Sequence, residues 1–501
     1  MDNLAATKGT RASAPGLLAD RVIDGPAPSD TPLPEATPSE AAPRRRRRRA
    51  IAVLLALVVL AVLSALPWEW SFIDDGELLL LLQDNIDEYG LLGGVGATIA
   101  KAAWWDLAGW GLFRPAFWVY RGLFYLLPVG PAHALRVVFL ALAVLGPVVA
   151  VRRNLPADHR LRFAVGAWAG LAVLANGALW YGIWFPSLQE LSAAAFLGLG
   201  LAAGLRRPWL LVTCWTVAAW FKSPIAWTLV ALAVVLLLRR GENGRRTRAA
   251  GWVAGALGGG TVLASMVAAQ GGSYSEGYFS ASPGTVAANA TALAGAAGPA
   301  LVIVLIGAFL LGTTIDAKHP LGRDPIPLAL LLGGLGYSAT LLPWRSGGYY
   351  PGPAVYLVTV AVILILGRFT EITAVRRRTG VALSVFATGV FLLSPVHNGA
   401  REMLNVAQLR DCLLTLPSDS VIGYDQPEGA IRLEQIVKFH DPAWNGIVAR
   451  VGPGDPWGMH NYVPVHQFDY YIRTDQLDVD DDFKGEVVCK TPKSEVMMVG
   501  R

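Results

Sequence analysis

About eleven apolar runs, each roughly 15–22 residues long, recur along residues 50–395 of this chain. No other feature constrains the fold as tightly. A helix of about 20 apolar residues covers the hydrocarbon core of a bilayer. Lipid offers no hydrogen bonds, so a chain crossing it must satisfy its backbone within helices or a closed barrel. The runs lie near 50–66, 133–151, 160–180, 187–205, 208–221, 224–238, 250–269, 296–315, 327–343, 353–367 and 380–395. Their length selects helices. Composition agrees: 16% of residues are charged, against about 25% in soluble domains.

The charges between the runs set the orientation. Arg152-Arg153, Arg206-Arg207, Arg239 to Arg248, Lys318 to Arg323 and Arg368 to Arg378 occupy one set of turns. The alternate set carries only Lys222 and Arg345 and, across 270–295, no Lys or Arg. Cationic turns stay in the cytoplasm. The pattern therefore places the N-terminus inside and the polar C-terminal region outside. The net charge of +5 sits in these clusters, which argues against nucleic acid as a partner. Residues 1–49 form a cytoplasmic tail, disordered by composition over 1–43 and ending in six arginines, Arg44 to Arg49. Those arginines abut the first span and suit an anionic membrane surface. Ser64-Ala65-Leu66 is a poor cleavage site, so the first span is expected to remain.

A long external loop, 68–132, separates the first two spans. It opens with Trp68-Glu69-Trp70 and the adjacent acids Asp74-Asp75. An amphipathic stretch, 77–103, carries Asp84, Asp87 and Glu88 on one face and is broken by Gly90 to Gly96. Residues 110–128 are apolar but contain Arg114, Pro115 and Arg121. Arginine at mid-bilayer costs about 2.5–3.5 kcal/mol on insertion scales. We read this segment as a helix on the membrane surface with both arginines on one face. The loop is thus expected to be two surface helices joined by glycines.

The tail, 396–501, reads as a small α/β domain outside the membrane. Cys412 and Cys489 lie within it, and an oxidising compartment permits their pairing. Two free thiols are the alternative. His440, Asp441, His460, His466 and Asp469 show no ligand spacing for a metal, so no metal site is assigned there.

This layout resembles the GT-C superfamily of membrane glycosyltransferases, which includes protein O-mannosyltransferases, aminoarabinose transferases and mycobacterial arabinosyl- and mannosyltransferases. The resemblance rests on the acidic pair after the first span, the surface-helix loop, about eleven spans, and the external turns Trp220-Phe221-Lys222-Ser223-Pro224 and Trp344 to Tyr350. It implies an all-α polytopic fold over 50–395 and a bacterial plasma-membrane enzyme. Such an enzyme moves a sugar from a polyprenyl-phosphate donor to a cell-envelope glycan or protein, inverting the anomeric carbon. Asp74 or Asp75 would be the general base. Lys222, Arg345, Arg114 and Arg121 would hold the lipid phosphate. Trp344, Tyr349, Tyr350 and Glu190 would line the sugar or acceptor site. The resemblance leaves a divalent metal at the Asp pair open.

Each residue also has a structural reading. Asp75 caps a helix, Lys222 snorkels to headgroups, the aromatics form an interfacial belt, and the two arginines touch lipid phosphates. A transporter or flippase, with 208–221 and 224–238 as a broken helix, is the competing function, as is a GT-C fold without activity.

Overall fold

The computed structural model describes residues 68–71, 74–153, 155, 159–238, 244–272, 279–311, 325–344, 349–366, 374–424, 430–450, 467–474 and 485–499. All belong to one unit, Val58–Arg501. The first expected span, 50–66, and Arg345 lie outside the described residues.

The described residues up to Thr415 are mainly helical. The helices are α1 (Asp75–Trp104), α2 (Pro115–Phe124), α3 (Val129–Arg153), α4 (His159–Leu174), α5 (Gly177–Trp184), α6 (Glu190–Ala203) and α7 (Pro208–Phe221). They continue as α8 (Ala226–Leu238), α9 (Arg245–Ala269), α10 (Pro283–Leu311), α11 (Pro325–Leu341), α12 (Gly352–Leu366), α13 (Ala374–Thr415) and α14 (Ala430–His440). Among the described residues four helices are long and apolar enough to cross a membrane, or five if a bent pair counts as one span. The fold is thus that of a multi-pass membrane protein, and the described residues do not establish the expected total of eleven spans. Four shorter apolar helices, Pro208–Phe221, Ser223–Leu238, Pro325–Leu341 and Gly352–Leu366, accompany them.

The bent pair corrects the expected continuous span at 160–180. Residues Arg162–Leu174 and Gly177–Trp184 meet at 66°. At the break, the Asn176 side-chain amide donates to Gly352 O at 2.9 Å. The apolar pattern runs straight through this point, so hydropathy could not mark it. By contrast, 208–221 and 224–238 are joined through the short 3-10 turn Ser223–Ile225. Small residues allow close helix crossings in lipid. Gly146 of α3 lies so near the backbone of Gly198 in α6 that a β-carbon has no room.

The 68–132 loop holds three helical pieces rather than two. Gly90, at φ 71 and ψ 172, breaks α1. Asn85 Nδ2 donates to Thr98 Oγ1 at 2.9 Å across this break. In a straight helix those residues would stand about 20 Å apart along the axis, so α1 folds back on itself at Gly90. Leu78, Leu79, Leu81 and Leu82 face inward, whereas Asp84, Asp87 and Glu88 are exposed. A π-helical turn, Trp105–Trp110, leads to α2. With Pro at its first position, where the missing N–H costs nothing, α2 is 10 residues long. That is about 15 Å, too short to span.

The C-terminal domain is built on β1 (Val421–Tyr424), β2 (Ile447–Arg450), β3 (Tyr470–Thr474), β4 (Gly485–Lys490) and β5 (Ser494–Val499). The sheet order is β2-β1-β3-β5-β4. β1 runs parallel to β2 and β3, and the β3-β5-β4 side is antiparallel. Leu433, Ile436 and Val437 of α14 pack with Val406, Leu409 and Leu413 of α13 in the domain core. Cys412 and Cys489 form a disulfide with Cα atoms 6.4 Å apart. Helix α13 runs through residue 396, where the sequence places the start of the domain, to Thr415.

Candidate active site

The Asp74-Asp75 pair heads α1, and its two members occupy different environments. Asp75 is fully buried. Its Oδ2 accepts hydrogen bonds from Ser71 N at 2.9 Å and Ser71 Oγ at 2.6 Å. Its Oδ1 accepts one from Tyr125 Oη at 2.6 Å. Burial raises its pKa to about 6, while the Ser71 and Tyr125 hydrogen bonds pull the other way. Asp74 stands at the N-cap with φ 61 and makes no side-chain cap hydrogen bond. That left-handed backbone is uncommon for a residue with a β-carbon, although Asp tolerates it better than most. It turns the side chain outward, where 39% of it is exposed. Arg432 of α14 reaches Asp74 Oδ1 at 2.8 Å.

The cations form a chain from this point. Asp106, in the π-helical turn, is buried and binds Arg114 at two points, Nε to Oδ2 at 3.1 Å and Nη2 to Oδ1 at 2.5 Å. Trp118 Nε1 donates to the same carboxylate at 2.6 Å. Arg121 Nη1 lies 3.5 Å from Asp106 Oδ1. Both guanidiniums also lie over the Phe117 ring, at 4.9 Å for Arg114 and 4.3 Å for Arg121, a favourable cation–π geometry. The two arginines do share a face, as their spacing requires, but a protein acid lies between them. Burial lowers the pKa of Arg121, and Asp106 and Asp74 oppose that. Glu77, one turn after Asp74, is raised by burial and by Asp74, against Arg121, Arg432 and Lys101. Asp74, Glu77, Arg121 and Arg432 therefore act on one another.

A second group lies among the apolar helices. Lys222 Nζ pairs with Glu190 Oε1 at 2.6 Å, and both side chains are nearly inaccessible. The ammonium also lies 4.2 Å from the Tyr350 ring centroid. Tyr350 stacks on Tyr349 at 4.6 Å, and its carbonyl accepts from Tyr337 Oη at 3.3 Å. Arg114 is within electrostatic range of Lys222, which links the two groups. Trp344 has other partners. It makes an edge contact with Phe279 at 5.3 Å, and its carbonyl accepts from Asn289 Nδ2 at 2.5 Å.

Several site residues escaped the sequence reading. Asp106 was hidden in an apolar, aromatic run, although a lone acid there is itself a signal. Arg136 is fully buried and donates to Gly182 O, Leu188 O, Tyr120 Oη and Ser192 Oγ. It thereby locks α2, α3, α5 and α6 behind the site. Glu69 is buried, pairs with Arg410 and lies 3.4 Å from His440 Nε2. Arg410 and Arg432 gave no local cue to the site, because Glu69 and Asp74, which they reach there, are more than three hundred residues away in sequence.

The acidic pair is engaged by protein donors. Both Asp75 oxygens accept from N–H and O–H donors, and Asp74 faces a guanidinium. Among the described residues no three His, Cys, Asp or Glu side chains converge as metal ligands.

The described residues thus combine a multi-spanning helical body, a helical loop headed by an acid, and a terminal sheet domain. The chain is similar to ArnT from Cupriavidus metallidurans, crystallised in the apo state, with TM-score 0.50 and 16% identity over 91% of this chain and 98% of that one. A second ArnT crystal structure from the same organism, bound to undecaprenyl phosphate, matches with TM-score 0.49 and 16% identity over 89% and 97%. No protein-family model and no curated protein matches the chain.

Proposed function

We propose that this protein is an inverting glycosyltransferase that moves a sugar from a polyprenyl-phosphate donor to an acceptor outside the plasma membrane. The observation that carries this reading is the division of labour in the acidic pair. Asp74 is turned outward next to a chain of cations, while Asp75 is buried on three donors. A general base must reach the proton it takes, and Asp74 can, whereas the Asp75 oxygens are engaged. Asp74 is the base in this reading, and Asp75 fixes the turn that presents it.

In the reaction the acceptor hydroxyl attacks the anomeric carbon as Asp74 takes its proton. The bond from that carbon to the phosphate oxygen breaks on the opposite face, and the lipid phosphate leaves with the electron pair. Lys222, Arg114 and Arg121 offset the developing negative charge, the planar guanidiniums through paired hydrogen bonds. Each cation already has an internal partner, Glu190 or Asp106. Those acids keep the cations folded inward until phosphate competes for them. Tyr349 and Tyr350 offer ring faces to a sugar, and Arg345 and Trp344 belong to the same external turn. The charge alternation between spans supports a cytoplasmic N-terminus and an extracytoplasmic C-terminal domain.

The test is turnover of radiolabelled polyprenyl-phosphate mannose and polyprenyl-phosphate arabinose by the purified full chain. Asp74→Asn is expected to lose about 10²–10⁴-fold, the usual contribution of a general base. Asp75→Asn is expected to retain measurable turnover. Loss in Asp75→Asn with Asp74→Asn active would reverse the assignment. A second reading, a transporter or flippase, draws on the bent pair at Asn176, since broken helices mark transporter sites. It predicts that no donor is consumed.

A further inference from the structure

We propose that Arg432, carried by α14 of the C-terminal domain, is a positioning residue for Asp74, so that this domain completes the active site. The inference rests on the reading of Asp74 as the base.

A half-exposed ion pair usually contributes little, because two mobile side chains must be ordered to make it. Here both backbones are already fixed. Gly76, two residues after Asp74, packs directly on α14. A β-carbon at Gly76 would stand 3.0 Å from Arg432 O, 3.0 Å from Gln435 Cβ and 3.1 Å from Ile436 Cγ1. The far end of α14 is held as well. His440 lies 3.4 Å from Glu69 Oε1, and Arg410 of α13 pairs with the other Glu69 oxygen. Glu69 belongs to the segment that leads into Asp74. Helix α14 is therefore fastened to this segment on both sides of the base.

The need for such a partner follows from the contrast between the two acids. Asp75 has three donors to hold it. Asp74 has no side-chain cap bond, and its outward carboxylate would otherwise sample several rotamers. The guanidinium at 2.8 Å selects one of them. Arg432 does not touch the reacting carbon in this scheme. It holds the base where the acceptor hydroxyl arrives, and fixed geometry at that point is worth a large factor in rate. Other charged groups around Asp74 are Asp75, Glu77 and Arg121.

Two measurements on the full chain test this. The first needs no substrate. Asp74→Cys, in a Cys214→Ala background, places one titratable thiol at the site, since Cys412 and Cys489 are paired. The pH dependence of its alkylation by iodoacetamide is compared with and without Arg432→Gln. An opposite charge within about 4–6 Å lowers a thiol pKa, so loss of Arg432 is expected to raise the apparent value by about one unit. Coincident profiles would overturn the proposal. The second is turnover of polyprenyl-phosphate mannose and arabinose. Arg432→Gln is expected to lower kcat on the order of 10- to 100-fold with the donor KM unchanged, and Arg432→Lys to restore most of it. If both variants instead lose activity in step with a lowered unfolding temperature, Arg432 is a docking contact and the proposal fails. If the unaltered chain consumes neither donor, the glycosyltransferase reading fails, and the thiol titration still decides the Arg432–Asp74 pairing.

Discussion

Replacing Asp75 with asparagine is expected to stabilise the protein at neutral pH, by an amount that vanishes in acid. Burial lifts the Asp75 pKa from an ordinary value near 3.8 to about 6. The folded state therefore keeps a proton that the unfolded chain has released between those two values. Below about pH 4 both states are protonated, and the stabilising effect of the neutral acid is fully present. As pH rises through about 6 that stability is lost. Two units at 1.36 kcal/mol each amount to about 3 kcal/mol above that range. Asparagine has the shape of the protonated acid. Its carbonyl can accept from Ser71 N and Oγ, and its amide can donate to the Tyr125 hydroxyl once that rotor turns. The assay is thermal unfolding of the detergent-solubilised chain across about pH 4 to 8, at one scan rate because membrane proteins often unfold irreversibly. The difference between variant and unaltered protein should be near zero at the acid end, grow through about pH 5, and level off above about 6.5. A difference that is flat with pH, or a variant less stable at neutrality, would refute the argument.

Asp106→Asn should be severe. It leaves Arg114 and Arg121 without their shared acid, and breaking a buried pair on one side costs about 3–5 kcal/mol, readable as a lowered unfolding temperature. Gly76→Ala pushes α14 away from the head of α1, and limited proteolysis should then cut the C-terminal domain faster, without the domain itself unfolding. Cys412 and Cys489 should resist alkylation until reduced. Replacing both with alanine should cost about 2–5 kcal/mol, measured as a lowered unfolding temperature.

How much of this was legible in the sequence depends on how far apart the interacting groups lie. The apolar helices were readable, because hydrophobic length is a local property that the bilayer demands outright. The helix at 115–124 was readable within the apolar run 110–128, with Pro115 at its first position. The fold-back at Gly90 was only half readable: the glycines announced a break, but the Asn85–Thr98 bond that closes it has no local signature. The bend at Asn176 went unread although Asn-Gly is a turn signal, because the apolar run continues on both sides and its partner, Gly352 O, comes from a distant helix. At the site, adjacent acids drew attention to Asp74 and Asp75, but spacing could not separate them. Burial does, through Ser71 and Tyr125. Asp106 went unread because its neighbours are tryptophans, glycines and leucine, and the eye follows the apolar average. Arg410 and Arg432 belong to a part of the chain that only the folded backbone brings to Glu69 and Asp74.

Helix α13 has 42 residues, about 63 Å at 1.5 Å per residue, roughly twice the thickness of the hydrocarbon core. Its C-terminal half carries the C-terminal domain by way of Cys412 and by Glu402 and Asn405, which grip the hairpin between β4 and β5. A helix is a screw, and this gives the domain a phase. One residue inserted between the membrane and Glu402 would rotate the load by about 100° and carry Arg432 around the axis, away from Asp74. Seven inserted residues would bring the angle back to within about 20° but raise the domain by about 10 Å. The stretch of α13 between Pro395 and Glu402 thus behaves as a gauge block: its count of residues, more than their identity, sets where the domain meets the membrane-embedded body.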